Sequence, residues 1–435
     1  MKNNNIDNRK TQVRWIIAAM MWAAIAINYI DRTVLSTAAP HISSEFKLTS
    51  GQMGILMSAF FWSYALLQIP AGWVADRIGQ KKTLGFAVGW WSAITTITGL
   101  ATGFKSLLGF RVALGLGEAG AYPSNAGITS KWFPKKERAT VSGLFDSGSK
   151  FGGAIAMPLI AWLIVVVDWK WTFTIIGVLG LIWTIIWLIY YRETPEQHKG
   201  VNKAELEYIY QDKSEKKEDC DTTQPMKWYQ LLKYKNIWAM CIGFFMINYN
   251  SYFFITWLPT YLVKERGMGL LKMGFAASLP LLCAMIAEII AGWLSDRVYA
   301  KKILSLTATR KLFLIIGLVM ASFIGIAAFA KSVTLAIVLL CIAKSGNTIA
   351  ASQVWSLPGD VAPKNMTSVV AGMQNTVSNM GGVVGPIITG FIVGTTGSFV
   401  PALLFSAFLI ILAILNYAFL LGKVERIDVK EKAVM

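Results

Sequence analysis

The sequence predicts an all-α membrane protein with twelve transmembrane helices in two six-helix bundles and both termini in the cytoplasm. Three observations lead to this prediction. Hydrophobic residues make up 55% of the 435 residues and charged residues only 15%, which leaves too few polar side chains to cover a soluble domain. Apolar runs of roughly 20 residues, the length that crosses about 30 Å of hydrocarbon, recur along the chain. A twelve-residue segment also occurs twice, half a chain apart.

Six apolar runs precede a polar segment and six follow it. The runs lie at 13–36, 52–74, 83–103, 106–129, 140–166, 171–190, 236–262, 273–294, 312–330, 333–357, 366–394 and 399–421. We therefore expect an N-terminal bundle over 1–190, a cytoplasmic connecting loop over 191–235 and a C-terminal bundle over 236–435. The loop holds nine basic and nine acidic side chains, and residues 203–209 within it predict a short surface helix. The first run is too long for the apolar part of a signal peptide, so we interpret it as helix 1.

The repeated segment relates the two bundles to each other. Residues 71–82 return at 291–302, an offset of 220 residues, and seven of the twelve positions are identical. Each copy ends an apolar run and begins a short charged segment. A parallel repeat of half the chain indicates two bundles related by an axis along the membrane normal, an arrangement typical of transporters.

The formal charge of +17 is distributed in a way that predicts membrane topology and not nucleic-acid binding. With the N-terminus inside, the short inner segments hold 21 Lys and Arg residues and the outer loops hold 7. This bias places both termini in the cytoplasm. Lys264, Arg266 and Lys272 form an outer cluster that departs from the rule.

The residues that usually form disulfides, metal sites or proton relays are few. Of the four cysteines, three lie in apolar runs and Cys220 lies in the connecting loop, so no disulfide framework is expected. Both histidines, His41 and His198, fall in predicted loops and not in the membrane. We therefore expect no metal and no cofactor. A receptor or an embedded enzyme would need a signalling domain, a metal-ligand cluster or a nucleophile with its base, and we expect neither class.

Charged residues inside the apolar runs identify a candidate site. Helix 1 carries Asp31 and Arg32, and helix 4 carries Arg111 and Glu118. An ionisable side chain at mid-membrane costs roughly 2.5–3.5 kcal/mol on insertion scales, so such residues usually have a function. A cavity with two arginines and two carboxyl groups suits an anion that arrives with protons. Arginine binds a carboxylate through two parallel hydrogen bonds, and a partly desolvated Asp or Glu can take up and release a proton.

An alternative is that these four residues form buried ion pairs that only hold helices 1 and 4 together. Two points argue against it. Asp31 and Arg32 are adjacent, so they cannot both point at one partner. Buried ion pairs also stabilise a fold poorly compared with apolar packing.

The C-terminal half offers neutral hydrogen-bonding groups where the N-terminal half has charges. These residues suit the hydroxyl groups of a ligand, and they are Asn248, Tyr252, Ser352, Trp355 and Asn375. A Trp or Tyr in such a run is equally often an anchor at the membrane interface.

The remaining charges near or inside the membrane form two groups. Two Asp–Arg pairs at inner helix ends are expected to form gate contacts between the bundles, and these residues are Asp76, Arg77, Asp296 and Arg297. A second group has no assigned role. Asp146 and Lys150 are four residues apart and can pair, while Glu288 and Lys344 are expected to line the cavity or to pair with one another.

Four motifs carry a resemblance to a known family: Tyr-Ile-Asp-Arg at 29–32, Gly-Glu-Ala-Gly-Ala-Tyr-Pro at 117–123, Trp-Phe-Pro-Lys-Lys-Glu-Arg-Ala at 132–139, and Val-Asn-Lys-Ala-Glu-Leu at 201–206. With the repeated segment, they make the whole chain resemble the major facilitator superfamily. Within that superfamily the chain looks like the anion:cation symporter family, in its bacterial branch of galactonate, glucarate and hexuronate carriers.

The resemblance implies roles for individual residues. The positions matching Asp31 and Glu118 take up protons, and Arg111 matches an arginine near the helix-4 acid. The positions that hold the substrate match Tyr29, Arg32, Tyr64, Trp355 and Asn375. Ser149 departs from the pattern, because galactonate carriers have a glutamine there that contacts the substrate. The resemblance therefore leaves the particular sugar acid open.

The expected function is proton-coupled uptake of a hydroxylated organic anion by alternating access around a central cavity. The expected partners are the small anion, protons as the coupling ion and the lipid bilayer of a bacterial inner membrane, with the protein as a monomer. The alternative is an organic anion or organophosphate exchanger of the same fold. Organophosphate exchangers resemble a design with one arginine facing the phosphate from each half, and the run at 236–262 has no Arg or Lys in its centre.

Overall fold

The computed structural model describes residues 10–211, 228–363 and 366–427, and these residues are mainly helical. The helices are α1 Val13–Glu45, α2 Ser50–Ile78, α3 Gln80–Thr98, α4 Phe104–Glu118, α5 Ala121–Trp132, α6 Lys135–Tyr190, α7 Lys203–Tyr210, α8 Lys235–Thr256, α9 Leu258–Lys264, α10 Leu270–Ala300, α11 Leu306–Ala321, α12 Phe323–Ala327, α13 Val333–Val361, α14 Thr367–Thr396 and α15 Val400–Leu415. Each predicted apolar run overlaps one of these helices or a consecutive pair of them.

Non-helical residues divide some of the helices at the boundaries between predicted runs. The 56 residues of α6 contain Asp168 with φ 72° and ψ 161°, which is not helical and divides α6 into the predicted runs at 140–166 and 171–190. Within the described ranges, seven helices are long and apolar enough to cross a membrane by length and composition. The predicted run at 106–129 covers α4 and α5, which are separated at Ala119 and Gly120.

The buried apolar residues form three cores. The fully buried members of an N-terminal core all lie between 13 and 191, with Tyr252 and Val383 packed against it from the other half, and those of a C-terminal core all lie between 231 and 424. The third, a shared core, contains residues of both halves, including Trp169, Trp257 and Tyr261. The two halves of the chain are therefore joined at one end and separately packed at the other.

Close backbone contact between α2 and α14 joins the halves beside the shared core. A Cβ atom on Gly54 would lie 2.5 Å from the carbonyl oxygen of Pro386, and one on Gly390 would lie 2.6 Å from that of Ser50. Both distances are shorter than any real Cβ contact, so only glycine permits this approach.

The two copies of the repeated segment share one local interaction. The Arg77 guanidinium lies 4.1 Å from the ring centroid of Trp73, and that of Arg297 lies 4.8 Å from Trp293. Both pairs are four residues apart on one helix, the spacing that places side chains on the same face. The copies differ where the helix ends, because α2 stops at Ile78 and α10 continues to Ala300.

The predicted short helix of the connecting loop is confirmed as α7. It is not a purely surface helix, because the Glu205 side chain on it is buried. That carboxylate accepts hydrogen bonds from the backbone N–H groups of Val13 and Arg14, each at 3.3 Å, and from Arg14 Nη1 at 2.9 Å. Glu205 thereby satisfies donors at the start of α1. Cys220 lies outside the described residues.

Glu193, just after α6, holds the turn between α2 and α3 in the same way. Its carboxylate accepts from the backbone N–H groups of Gln80 and Lys81, each at 3.0 Å, and pairs with Lys131. Partial burial disfavours the ionised form, but the hydrogen bonds from Lys131 and from the two backbone groups outweigh it and lower the pKa of Glu193. Gly79 at this turn has φ 95°, and a Cβ there would lie 2.8 Å from Glu193 Oε2.

We predict that Glu193→Gln lowers the free energy of unfolding by about 1 kcal/mol at pH 7, because partly exposed charge-assisted hydrogen bonds are lost. A carboxyl group whose pKa is lowered on folding stabilises the protein above its unfolded pKa of roughly 4.3, and this stabilisation is lost as the pH falls through the folded pKa. Thermal unfolding in detergent should therefore show a difference from wild type that shrinks below about pH 4. Glu207→Gln, at an exposed position of α7, is the control, and equal effects of the two variants would contradict the assignment.

Candidate functional site

A cavity of about 450 Å³ lies between the two halves of the chain. Its lining joins the three cores: Leu35 and Met157 come from the shared core, Tyr64 from the N-terminal core and Phe244 from the C-terminal core. The cavity therefore lies where the shared core ends and the halves begin to separate.

All eight residues predicted to bind the substrate line this cavity. They are Tyr29, Arg32, Tyr64, Arg111, Ser149, Ser352, Trp355 and Asn375. They come from six helices, α1, α2, α4, α6, α13 and α14, and lie between positions 29 and 375 of the sequence.

Arg32 is held at the cavity wall by a carboxylate and by aromatic rings. Its Nε donates to Glu118 Oε2 at 2.6 Å, and the side chain is 11% exposed. The guanidinium carbon lies 5.0 Å from the ring centroid of Tyr29 and 4.7 Å from those of Phe60 and Tyr64. Each distance is within the range of a cation–π contact. Arg32 Nη2 is buried and has no hydrogen-bond partner in the part of the chain that the structure describes.

Arg111 lies beside Arg32 and shares an aromatic neighbour with it. Its guanidinium carbon is 5.4 Å from the ring centroid of Phe60, and its Nε has no hydrogen-bond partner among the described residues. The helices α2 and α4 approach closely here, because a Cβ on Gly115 would lie 2.2 Å from the Phe60 carbonyl oxygen. Sequence reasoning missed Phe60, since one phenylalanine among 23 carries no signal of its own.

The two carboxyl groups do not line the cavity. Asp31 and Glu118 are each 1% exposed and lie behind its wall. Successive helical residues point about 100° apart, so Arg32 faces the cavity while Asp31 faces α3, where Trp91 and Thr95 are its neighbours. The expectation of two arginines and two carboxyl groups in one cavity is therefore wrong for the carboxyl groups.

The ion pair that forms here links two helices. It joins Arg32 of α1 to Glu118 of α4, whereas neither oxygen of Asp31 has a hydrogen-bond partner among the described residues. The alternative interpretation, in which the four residues form buried ion pairs between helices 1 and 4, therefore holds for the Arg32–Glu118 pair only. Asp31 and Arg111 have no ionic partner in the described ranges.

Neutral groups of the C-terminal half form the opposite wall. Trp355 is half-exposed and packs edge-on against Phe244, with ring centroids 5.3 Å apart. The Tyr252 hydroxyl donates to Asn379 Oδ1 at 3.2 Å, and its ring meets Phe61 of α2 at 4.5 Å. Asn379 is a lining residue that the sequence analysis missed, although it lies one helical turn from Asn375.

Two predicted contact residues bond to their own helix. Ser149 Oγ donates to the Asp146 carbonyl oxygen at 2.7 Å, and Ser352 Oγ donates to that of Ile349 at 2.8 Å. The Ser149 hydroxyl keeps its lone pairs for a further donor, whereas Ser352 Oγ also accepts from Gln353 Nε2 at 3.4 Å.

A second charged cluster lies on the lining between α6 and α10. Lys150 Nζ is 3.4 Å from Asp146 Oδ2 and 2.9 Å from Glu288 Oε2. Asp146 and Lys150 thus pair as their spacing suggested. Glu288 lines the cavity but pairs with Lys150 of the other half, while Lys344 Nζ donates to Ser251 Oγ at 2.6 Å.

The gate residues stay a prediction. Arg77 and Arg297 are exposed and contact a Trp of their own helix. The structure does not describe the side chains of Asp76 and Asp296.

No cluster of metal ligands is present in the described ranges, because no three His, Cys, Asp or Glu side chains converge there.

Comparison with known proteins identifies the class of protein. Residues 21–386 match the family model of the Major Facilitator Superfamily. The chain is 35% identical to a D-galactonate transporter of Escherichia coli O6:H1, over 95% of this chain and 97% of that protein. It is 36% identical to a probable galactarate/D-glucarate transporter of Bacillus subtilis, over 98% and 95%. A solved structure of a bacterial homolog of the human lysosomal transporter Spinster, inward-facing and unoccupied, aligns with a TM-score of 0.78 at 21% identity, over 95% of this chain and 98% of that one.

The chain belongs to the major facilitator superfamily. It is an all-helical, multi-pass protein of the bacterial inner membrane and not an enzyme, and its relatives include transporters of sugar acids.

We predict that reversing one charge of the Lys150–Glu288 pair destabilises the protein and that reversing both restores it. Lys150→Glu or Glu288→Lys alone places like charges together at a partly buried interface, which should cost about 2 kcal/mol. The double variant should recover more than half of the loss in thermal unfolding. The matched control is the exposed pair of Glu45 and Lys170, for which each reversal should cost below about 1 kcal/mol. Additive losses in the Lys150–Glu288 double variant would show that the two side chains do not interact.

Proposed function

We propose that this protein is a secondary active transporter that takes up a sugar acid together with protons. The observation that carries the proposal is Arg32, a permanently charged group that lines a cavity between the two halves and is held on one side by a buried carboxyl group. The guanidinium group binds a carboxylate through two parallel hydrogen bonds. The sugar-acid transporters among the relatives support the substrate class.

The proposed architecture has twelve spans, with bundles at 1–190 and 236–435, a cytoplasmic loop between them and cytoplasmic termini. The helices under the predicted runs and the excess of basic residues in the inner segments support it. In this orientation the shared core closes the outer side, and the cavity opens to the cytoplasm. Transport then requires the halves to rock so that the separate cores meet and the shared core parts.

The walls of the cavity divide the recognition of the substrate. The arginines of the N-terminal half bind the carboxylate, and the neutral groups of the C-terminal half, Ser352, Trp355 and Asn375, bind the hydroxyl chain. A site built to bond hydroxyl groups rejects a ligand that lacks them, because its own polar groups are left unpaired.

Glu118 and Asp31 are the proposed proton sites. While Glu118 is ionised, it competes with the substrate for the Arg32 guanidinium. A proton on Glu118 weakens that pair and frees Arg32 for the substrate carboxylate, so proton binding and anion binding favour one another. An ionised carboxyl group without a partner is costly to bury, and we infer that Asp31 carries a proton in this conformation.

An organophosphate exchanger is the second candidate, and one observation favours it. Organophosphate exchangers resemble a design in which each half places a cation at the phosphate. The run at 236–262 has no such cation in its centre, but Lys344 supplies one on the C-terminal wall of the cavity. Competition by a sugar phosphate would distinguish the two candidates.

The direct test of the proposed function is uptake of labelled galactonate and galactarate into proteoliposomes with and without an inward proton gradient. We expect accumulation of at least one of the two acids that requires the gradient. Uptake that ignores the gradient would overturn proton coupling, and preferential uptake of a sugar phosphate would favour the exchanger.

We predict that Arg32→Lys loses uptake nearly as completely as Arg32→Ala, at least about 100-fold in kcat/KM, because an ammonium group cannot form the planar two-bond contact. The measurement is initial uptake at several substrate concentrations, with Arg426→Lys as the exposed control. A lysine variant with near-normal KM would show that Arg32 does not bind the carboxylate in this way.

We predict that Glu118→Gln abolishes accumulation against a gradient but keeps exchange of internal for external substrate. Glutamine still accepts a hydrogen bond from Arg32 but cannot carry the coupling proton. Counterflow of labelled substrate should therefore stay within about threefold of wild type, whereas proton-driven accumulation disappears. Loss of both activities in folded protein would indicate that Glu118 only positions Arg32, and the exposed Glu207→Gln variant should retain both.

A further inference from the structure

Lys344 is a buried cation of the cavity with no acidic partner among the described residues. It lies on α13, lines the cavity and is 7% exposed. Its Nζ donates to Ser251 Oγ at 2.6 Å and lies 5.4 Å from the ring centroid of Phe254. Glu288 acts on it through space, but that carboxylate is committed to Lys150 at 2.9 Å.

An ammonium group has three donors, and the hydrogen bond to Ser251 uses one of them. A cation buried without a counter-ion is costly inside a membrane and is usually a functional group. Lys344 thus has both the charge and the free donors to bind an anionic group that enters the cavity.

The charge of the whole lining points the same way. Among the described residues, six charged side chains line the cavity, and they are the cations Arg32, Arg111, Lys150 and Lys344 and the carboxylates Asp146 and Glu288. Four positive minus two negative charges leave a formal charge of +2. Glu118 and Asp31 lie behind the wall and cancel this charge only while they are ionised.

We infer that Lys344 binds a second anionic group of the substrate, so that the transported sugar acid is a dicarboxylate with one carboxylate at Arg32 and the other at Lys344. This inference rests on the proposed function and specifies its substrate class. The ion pair and the ring contacts of Arg32 are with the N-terminal half, at Glu118, Tyr29 and Phe60, whereas Lys344 contacts Ser251 and Phe254 of the C-terminal half. Two charges at opposite ends of one molecule fit this arrangement, whereas a phosphate monoester carries both charges on one group.

Galactarate and galactonate provide a matched pair of probes, because they share the hydroxyl chain and differ at one end only. That end is a carboxylate in galactarate and a hydroxymethyl group in galactonate. In proteoliposomes of the wild-type protein, we expect unlabelled galactarate to compete with labelled galactarate at a concentration at least tenfold lower than galactonate. This comparison needs no variant, so it does not depend on whether a substitution folds.

The variant Lys344→Met should raise the KM for galactarate at least tenfold and change that for galactonate less than threefold. Lys344→Arg keeps the charge and should retain most of the preference. Lys331→Met is the matched control, since Lys331 is exposed just before α13, and it should behave as wild type.

The possible failures can be told apart. Equal competition by the two acids, or a preference for galactonate, would overturn the role of Lys344 and leave the proposed function standing. Equal losses for both acids in a folded Lys344→Met protein would assign Lys344 to packing and overturn the inference. Stronger competition by galactose 1-phosphate than by galactarate would overturn the dicarboxylate, and transport of neither acid would overturn both the inference and the proposed function.

Discussion

The ion pair between Arg32 of α1 and Glu118 of α4 is the interaction on which the rest of the site depends. At 2.6 Å it fixes the guanidinium against the cavity wall and bonds Glu118 Oε2, while Glu118 Oε1 has no hydrogen-bond partner among the described residues. Breaking a buried pair leaves an uncompensated charge, which costs far more than the pair contributes to stability. The pair is therefore poorly explained as a structural contact, and it is well placed to exchange one partner for another: a proton for Glu118 and a carboxylate for Arg32.

Packing around this pair explains how a charge is tolerated there. Close approach of α2 and α4 at Gly115 brings the Phe60 ring within 4.7 Å of Arg32 and 5.4 Å of Arg111, so aromatic faces replace part of the water that each guanidinium lost. The same α2 meets α14 through Gly54 and Gly390 on the shared-core side. Helix α2 therefore contacts α14 of the other half and also carries Phe60, which packs against both arginines. A movement of α14 relative to α2 would thus reach the arginine side of the cavity through α2.

The sequence was sufficient for the positions of the helices, the half-length repeat and eight of the residues that line the cavity, because an intramembrane charge or a run of twenty apolar residues has few explanations. It was not sufficient for the direction of each side chain. Asp31 and Arg32 are neighbours in sequence but face different helices, because successive helical residues point about 100° apart, and the sequence does not tell which of the two faces the cavity. The sequence was also not sufficient to predict which distant charged residues form ion pairs. The partner of Lys150 is Glu288, 138 residues away, and the choice between Lys150 and Lys344 as its partner depends on packing between the halves.

Substrate charge and the number of coupled protons together decide what drives transport. If Asp31 and Glu118 each carry a proton in one cycle, a monocarboxylate moves with a net charge of +1. A membrane potential of about 100 mV then contributes roughly 2.3 kcal/mol per cycle, in addition to the proton gradient. A dicarboxylate carried with the same two protons moves no net charge, and the potential contributes nothing. The four cations and two carboxylates of the lining match the second case, because their charge of +2 is exposed to the substrate only when both buried carboxyl groups are protonated. Lys344 would then determine the energetics of transport as well as the selectivity, since the anionic group it binds is the one that makes the cycle electroneutral.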